Sequence, residues 1–199
     1  REIDQLLALH LLGKVGLLGY QLDAAEQALQ KANTGLKKYE EFLIAADVNS
    51  DLGILYQLQS LQGRALSHFF QALSLYEALG NQLGIGQQRS NIGKTLTQMG
   101  QLESALSSYS KALKLQRDYQ DPEGVASSLF NMGEIHRRLN QFGRALSYFE
   151  QALEIQQQLG NLKSTANSLI KIGTVLREQN QLTPAKSAFE AAIQQLSSK

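Results

Sequence analysis

"SNIGKTLTQMGQLESALSSYSKAL" (residues 90–113) returns as "FNMGEIHRRLNQFGRALSYFEQAL" (residues 130–153). The step between the two copies is forty residues, and it holds along the whole chain. It links Gly13, Gly53, Gly93, Gly133 and Gly173, and it links Ala25, Ala65, Ala105, Ala145 and Ala185. It also links Ala32, Ala72, Ala112, Ala152 and Ala192, and a bulky column of Leu29, Phe69, Tyr109, Phe149 and Phe189. Four columns kept over five copies define one repeat array, with units near 1–40, 41–80, 81–120, 121–160 and 161–199.

Each unit reads as two helices. Ala105, Tyr109 and Ala112 fall at i, i+4 and i+7, on one helical face. The alanines let a neighbouring helix approach, and the aromatic fills the space between them. Ile85, Ile92, Leu96 and Met99 mark a similar stripe on the first helix. Asn81, Asp121 and Asn161 suit helix N-caps, with Pro122 at a first helical position. Gly80 and Gly160 suit the ends of the preceding helices. Thr183-Pro184 reads as a further cap-plus-proline signature. The expectation is an all-α chain of ten helices, each of roughly 13–18 residues, in antiparallel pairs.

Gly93-Lys94-Thr95 looks like the end of a phosphate-binding loop, and Gly84-Ile85-Gly86 lies just upstream. A Walker loop ending there needs glycine at position 88, which is Gln88, and a dinucleotide fingerprint from Gly84 needs glycine at 89, which is Arg89. Both patterns fail, and the column explains Gly93 as a helix-packing position. No cofactor is expected.

Composition narrows the function further. The 199 residues carry 19 Lys+Arg against 18 Asp+Glu, a net charge of +1. That balance argues against bulk attraction to nucleic acid or an anionic membrane. Without cysteine there is neither a disulfide framework nor a thiolate metal site. The apolar stretch Leu6–Leu18 contains His10, Lys14 and two glycines and is too short to span a bilayer. The histidines His10, His68 and His136 are far apart in sequence and form no metal-ligand motif. His136 shares a column with Tyr56, Leu96 and Leu176 and reads as a packed side chain; His68 reads as exposed. No serine sits in a nucleophile-elbow pattern. The chain is read as a non-enzyme, with no catalytic, cofactor or metal residues.

The pattern resembles the tetratricopeptide repeat (TPR) family over the full length. The residues that carry the resemblance are the pairs Leu52-Gly53, Ile92-Gly93, Met132-Gly133 and Ile172-Gly173, followed by the Ala, aromatic and Ala columns. The forty-residue unit is longer than the family's usual 34, and the Gln-rich style is similar to bacterial, especially cyanobacterial, arrays. The resemblance implies a right-handed superhelical α-solenoid whose first helices line a concave groove. On that basis the groove residues are Gln87, Asn91, Lys94, Asn131, Glu134, Arg137, Arg138, Lys171 and Arg177. Asp47, Asp51, Ser90, Gln98, Ser127, Asn167, Thr174 and Glu178 lie on the same stretches. Asn91 and Asn131 precede the hydrophobic-Gly pair, where an amide that donates and accepts either holds a peptide backbone or serves a solvated face or an inter-unit hydrogen bond. The basic residues of units three to five fit either an acidic ligand or ordinary helix-surface charge, which includes the i,i+4 pair Glu134–Arg138. The implied function is a cytoplasmic protein–protein interaction module that takes a partner peptide or helix. The alternative is a structural or regulatory segment of a larger protein.

The ends differ from the middle. The first helix is unusually apolar, and Phe189, Ile193 and Leu196 would face a sixth unit. The chain begins at Arg1 rather than Met, and the expectation is a fragment of a longer protein whose terminal helices self-associate. In unit one, Asn33-Thr34-Gly35 is a candidate helix end, and Glu40-Glu41 replaces the later caps.

Overall fold

The computed structural model describes residues 2–39 and 41–197. Among them are ten α-helices and no strand: α1 Glu2–Leu18, α2 Leu22–Leu36, α3 Phe42–Leu58, α4 Gln62–Ala78, α5 Gln82–Gln98, α6 Leu102–Asp118, α7 Pro122–Arg138, α8 Phe142–Gln158, α9 Leu162–Glu178 and α10 Leu182–Ser197. The architecture is an α-solenoid of helix-turn-helix repeats. Every helix from α2 onward starts twenty residues after the previous one, so the forty-residue period divides into two equal halves.

The turns explain the regularity. At the α4–α5 turn, the Gly80 N–H donates to the Glu77 carbonyl (3.1 Å) and the Asn81 N–H to the Tyr76 carbonyl (2.9 Å). Gly80 sits at φ +66°, in the left-handed region that glycine enters at no steric cost. Asn81 then opens α5, its side chain accepting from the Gly84 N–H at 3.0 Å. One residue therefore closes one helix and caps the next. Asp121 and Asn161 repeat this, accepting from Gly124 and Ser164. The left-handed position is filled by Gly160 after α8, but by Gln120 after α6 and Asn140 after α7.

Two local expectations are corrected. Thr183 is not a cap: α10 begins at Leu182, which makes Pro184 the third helical residue. The missing N–H costs nothing there, because first-turn amides have no helical partner. Asn33-Thr34-Gly35 does not end α2. The Thr34 hydroxyl donates back to the Gln30 carbonyl (2.9 Å), and Gly35 packs directly under Leu6 of α1. The helix continues to Leu36 and a short 3₁₀ turn follows at Lys37–Tyr39. Glu40 lies outside the described residues.

The columns form the core. Leu29, Phe69, Tyr109 and Phe149 are fully buried, as are the alanines from Ala25 to Ala145 and from Ala32 to Ala152. A Cβ on Gly133 would lie 2.8 Å from the Phe149 ring, and one on Gly173 2.9 Å from the Phe189 ring. Glycine is thus required where the first helix crosses the aromatic of the second.

The helices gather into two compact units that divide between Ser108 and Tyr109, within α6. In the first, α1 packs on α2, α3 on α4, and α2 and α4 each on the following first helix. In the second, α7 packs on α8, α8 on α9 and α9 on α10.

Candidate functional site

The exposed sides of α7 and α9 carry most of the second unit's polar first-helix residues. Glu134 is their centre. Its carboxylate accepts from Arg137 twice (Nη2 at 2.8 Å, Nε at 3.2 Å) and from Lys171 of α9 at 3.1 Å. Arg138 Nε approaches it at 3.4 Å. Arg137 also reaches across to Glu178 of α9, Nη1 to Oε1 at 2.7 Å. Burial pushes the Glu134 carboxyl up, but the hydrogen bonds from Arg137 and Lys171 overcome it and bring it down to about 2. The Arg137 guanidinium is raised in turn, first by its hydrogen bonds to Glu134. Four of the expected groove residues, Glu134, Arg137, Arg138 and Lys171, therefore form one network. Arg177 is exposed near the end of α9.

One turn earlier on the same faces is a cavity of about 190 Å³. Glu123, Ala126, Ser127 and Phe130 of α7 line it, with Gln156 of α8, Leu159 just after that helix, and Ser164 and Asn167 from α9. Asn131 stands beside it, its amide donating to the Ser127 carbonyl at 2.9 Å. The cavity combines an apolar floor with hydroxyl and amide groups at the rim. Of this lining the sequence reading placed only Ser127 and Asn167 on the groove stretches, and Phe130 and Leu159 are the large apolar members it missed. Phe130 falls in the column of His10, Ser50, Ser90 and Ile170, whose mixed character hides it.

In the first unit Gln87 and Lys94 are exposed on α5. The Asn91 side-chain amide nitrogen is enclosed and has no hydrogen-bond partner, while the residue's main-chain carbonyl accepts from the Thr95 hydroxyl. Asp47 and Asp51 are engaged internally. Asp51 pairs with His10 of α1 at 2.7 Å, and Asp47 accepts from the Tyr76 hydroxyl. Burial, then the hydrogen bond to Asp47, pushes the Tyr76 phenol up.

A family model described as tetratricopeptide repeat matches residues 88–158 and 144–198, together more than half of the chain. The chain belongs to the tetratricopeptide repeat family. No curated protein matches the sequence. Solved TPR-like structures show the same fold at low identity. The quorum sensor NprR from B. thuringiensis aligns over 100% of this chain and 56% of its own, with TM-score 0.86 and 18% identity. The Rap conjugation gene regulator of plasmid pLS20, in complex with a Phr peptide, aligns over 92% and 51%, with TM-score 0.79 and 20% identity. Aspartyl phosphate phosphatase F from Bacillus subtilis aligns over 92% and 48%, with TM-score 0.83 and 18% identity. This TPR chain spans about half the length of each of these three.

The TPR units are also joined by a polar feature that the columns did not reveal. The Ser128 hydroxyl donates to Gln116 Oε1 (2.8 Å) and the Ser168 hydroxyl to Gln156 Oε1 (2.7 Å), both buried. The histidines are structural. His136 stacks on Tyr148 with ring centroids 5.1 Å apart, its Nδ1 lying 2.7 Å from Gln141 Oε1. His68, expected exposed, is half-buried. It stacks on Tyr56 at 5.3 Å, with Nδ1 3.0 Å from Asn49 Oδ1. The two pairs occupy the same two columns with the residues exchanged. Among the described residues no cluster of three or more His, Asp or Glu could hold a metal, and no helix is long and apolar enough to cross a membrane.

Proposed function

We infer that the chain is a protein–protein interaction module whose α7–α9 face takes an extended segment of a partner protein. The observation that carries this reading is the cavity between Phe130, Leu159 and Asn167 beside the Glu134 network. It offers room for an apolar side chain, and Asn131, Asn167 and Ser127 supply groups that can pair with a peptide backbone. The fold it shares with a solved regulator bound to a peptide supports the reading. Gln87 and Lys94, exposed on α5, supply the corresponding anchors of the first unit, within what we read as a single array over residues 1–199.

The partner segment is acidic where it meets α7 and α9. Arg137, Arg138, Lys171 and Arg177 stand against Glu134 and Glu178, four positive charges to two negative. Because Glu134 fixes Arg137 and Lys171 in place, they meet a ligand already ordered. The near-neutral total charge favours protein over nucleic acid or membrane as partner, and nothing in the site suggests catalysis. The reading places the chain in the cytoplasm.

Fluorescence anisotropy with labelled synthetic peptides of acidic, neutral and basic composition tests this. Acidic peptides carrying one large apolar residue bind best, and the affinity falls with salt. Phe130→Ala and Asn167→Ala each weaken binding by about 1–2 kcal/mol. Equal, weak binding of all compositions, unchanged in both variants, would overturn the reading. A second reading, a regulatory segment that packs on neighbouring domains of a longer protein, is favoured by the half-length coverage of the three solved proteins compared above.

A further inference from the structure

The place of the α7–α9 cavity recurs in the first unit, and there a side chain of the protein itself fills it. Ser127, Gln156 and Ser164, which line the cavity, fall in the same columns as Asp47, Tyr76 and Gly84 two periods earlier. The Tyr76 hydroxyl donates to the Asp47 carboxylate. The Tyr76 ring lies against α5 at Gly84, where an added Cβ would come within 2.5 Å of it. Only 4% of Tyr76 is exposed. The first unit therefore holds a phenol between α3 and α5, with the hydroxyl bonded to the earlier of the two helices.

In the second unit no ring occupies this place. Gln156 stands in the Tyr76 column, and its Oε1 is held by the buried Ser168 hydroxyl at 2.7 Å. Ser164 takes up part of the room that Gly84 leaves, and the cavity of about 190 Å³ is what remains. A cavity of about 150 Å³ admits a benzene ring, so this one has room for a ring with a further heavy atom. Its wall suits a ring as well. Phe130 lines it and is itself held edge-on against Phe149, with ring centroids 5.4 Å apart. Aromatic rings gain from pairing at such separations, and a buried phenol needs a partner for its hydroxyl. The Ser127 side chain, in the Asp47 column, brings an oxygen to the lining.

We propose that the α7–α9 cavity takes an aromatic side chain of the partner segment, a tyrosine in preference to a phenylalanine. Tyr76 is the internal counterpart of that residue: it shows a phenol seated at this point of the repeat with its hydroxyl on the side chain of the Ser127 column. The proposal rests on the reading of the α7–α9 face as a peptide site and names the side chain that enters it. Gln156 is the residue that decides the specificity, because a shorter side chain tied to Ser168 leaves open what Tyr76 closes.

Two probes test it. One is p-cresol, the free side chain of tyrosine, titrated against the nitrogen-15-labelled chain and followed by backbone amide shifts. It should move the amides of Ser127, Phe130 and Ser164 to saturation. The other is a set of acidic peptides that differ only at one central position, filled by tyrosine, phenylalanine, leucine or alanine. The tyrosine peptide should bind about tenfold or more tightly than the alanine peptide, followed by phenylalanine and then leucine. The triple variant Gln156→Tyr, Ser164→Gly, Ser168→Ala rebuilds the first unit's arrangement, and its glycine keeps the N–H that Asn161 caps. It should bind no p-cresol and hold all four peptides alike. If circular dichroism shows that it does not fold, Ser127→Ala takes its place: it should remove the preference for tyrosine over phenylalanine and keep that of phenylalanine over alanine. Absence of p-cresol shifts at the cavity overturns the proposal. So does a leucine or alanine peptide that binds as tightly as the aromatic ones; if binding then still favours acidic peptides, the peptide reading of the face stands without it. Conversely, p-cresol in the cavity with no acidic peptide bound would remove the acidic reading and leave the aromatic site.

Discussion

The Ser168 hydroxyl donates a 2.7 Å hydrogen bond to Gln156 Oε1 in a site sealed from solvent, and the Ser128–Gln116 pair repeats it one period earlier. Removing one partner strands the other. Ser168→Ala should cost about 1–3 kcal/mol, because the glutamine amide stays buried without its donor. The double variant Gln156→Leu, Ser168→Ala should recover most of that loss, since Leu36 and Val48 already fill these columns with an apolar pair. A double-mutant cycle in urea measures the coupling.

Glycine positions that look alike in sequence should respond with opposite signs. Gly133→Ala places a methyl 2.8 Å from the Phe149 ring and should destabilise by about 1–3 kcal/mol. Gly143→Ala, near the start of α8, meets nothing within 4 Å and should stabilise by about 0.5–1 kcal/mol. Thermal and denaturant midpoints of the two variants check this directly.

The left-handed turn residues offer a second opposed pair. Gly160 lies at φ +67°, and Gly160→Ala should cost about 1 kcal/mol. Gln120 holds φ +54° with a full side chain, and Gln120→Gly should gain about 0.5–1 kcal/mol by relieving that strain. Equal shifts at both sites would mean that backbone strain does not set the turn energetics.

The sequence carried the period, the helix count and the core because small residues at crossings leave a fixed signature. Gly133 and Ala145 are legible since nothing larger fits. The caps Asn81, Asp121 and Asn161 were legible for a similar reason, each being a short side chain with an oxygen at a helix start. Turns filled by Ser60 or Asn140 left no such mark, because no single residue type is required at a strained left-handed position. The Glu134 network was half visible. The pair Glu134–Arg138 follows from helical spacing, whereas Lys171 and Glu178 arrive from a separate helix through packing alone. His68 was misjudged because its partners, Tyr56 and Asn49, lie on the first helix, and column variability was read as exposure.

Glu134 should make stability depend on pH in a narrow acid window. Its carboxyl is lowered from the ordinary carboxylate value to about 2 in the folded chain. The stabilisation is fully present above the unfolded value of about 4.5 and is lost as pH falls toward 2. Glu134→Gln should therefore cost about 1–2 kcal/mol at pH 7, allowing for solvent screening, and the gap to wild type should close at acid pH. Guanidinium midpoints of both proteins across this range give the gap; a constant difference would remove Glu134 from the acid response.

The shared closing-and-capping residue has an evolutionary consequence. Gln120 and Gly160 hold the same backbone conformation, and Asp121 and Asn161 make the same cap. Excision of residues 121–160 would join Gln120 to Asn161 and bring Gln116 opposite Ser168, a pairing of the kind already present on both sides of the cut. Duplication of the block would be equally silent at its seams. Such a gene can lengthen or shorten by whole periods through unequal recombination without meeting a broken turn, so array length is free to drift or be selected independently of the sequence within each period.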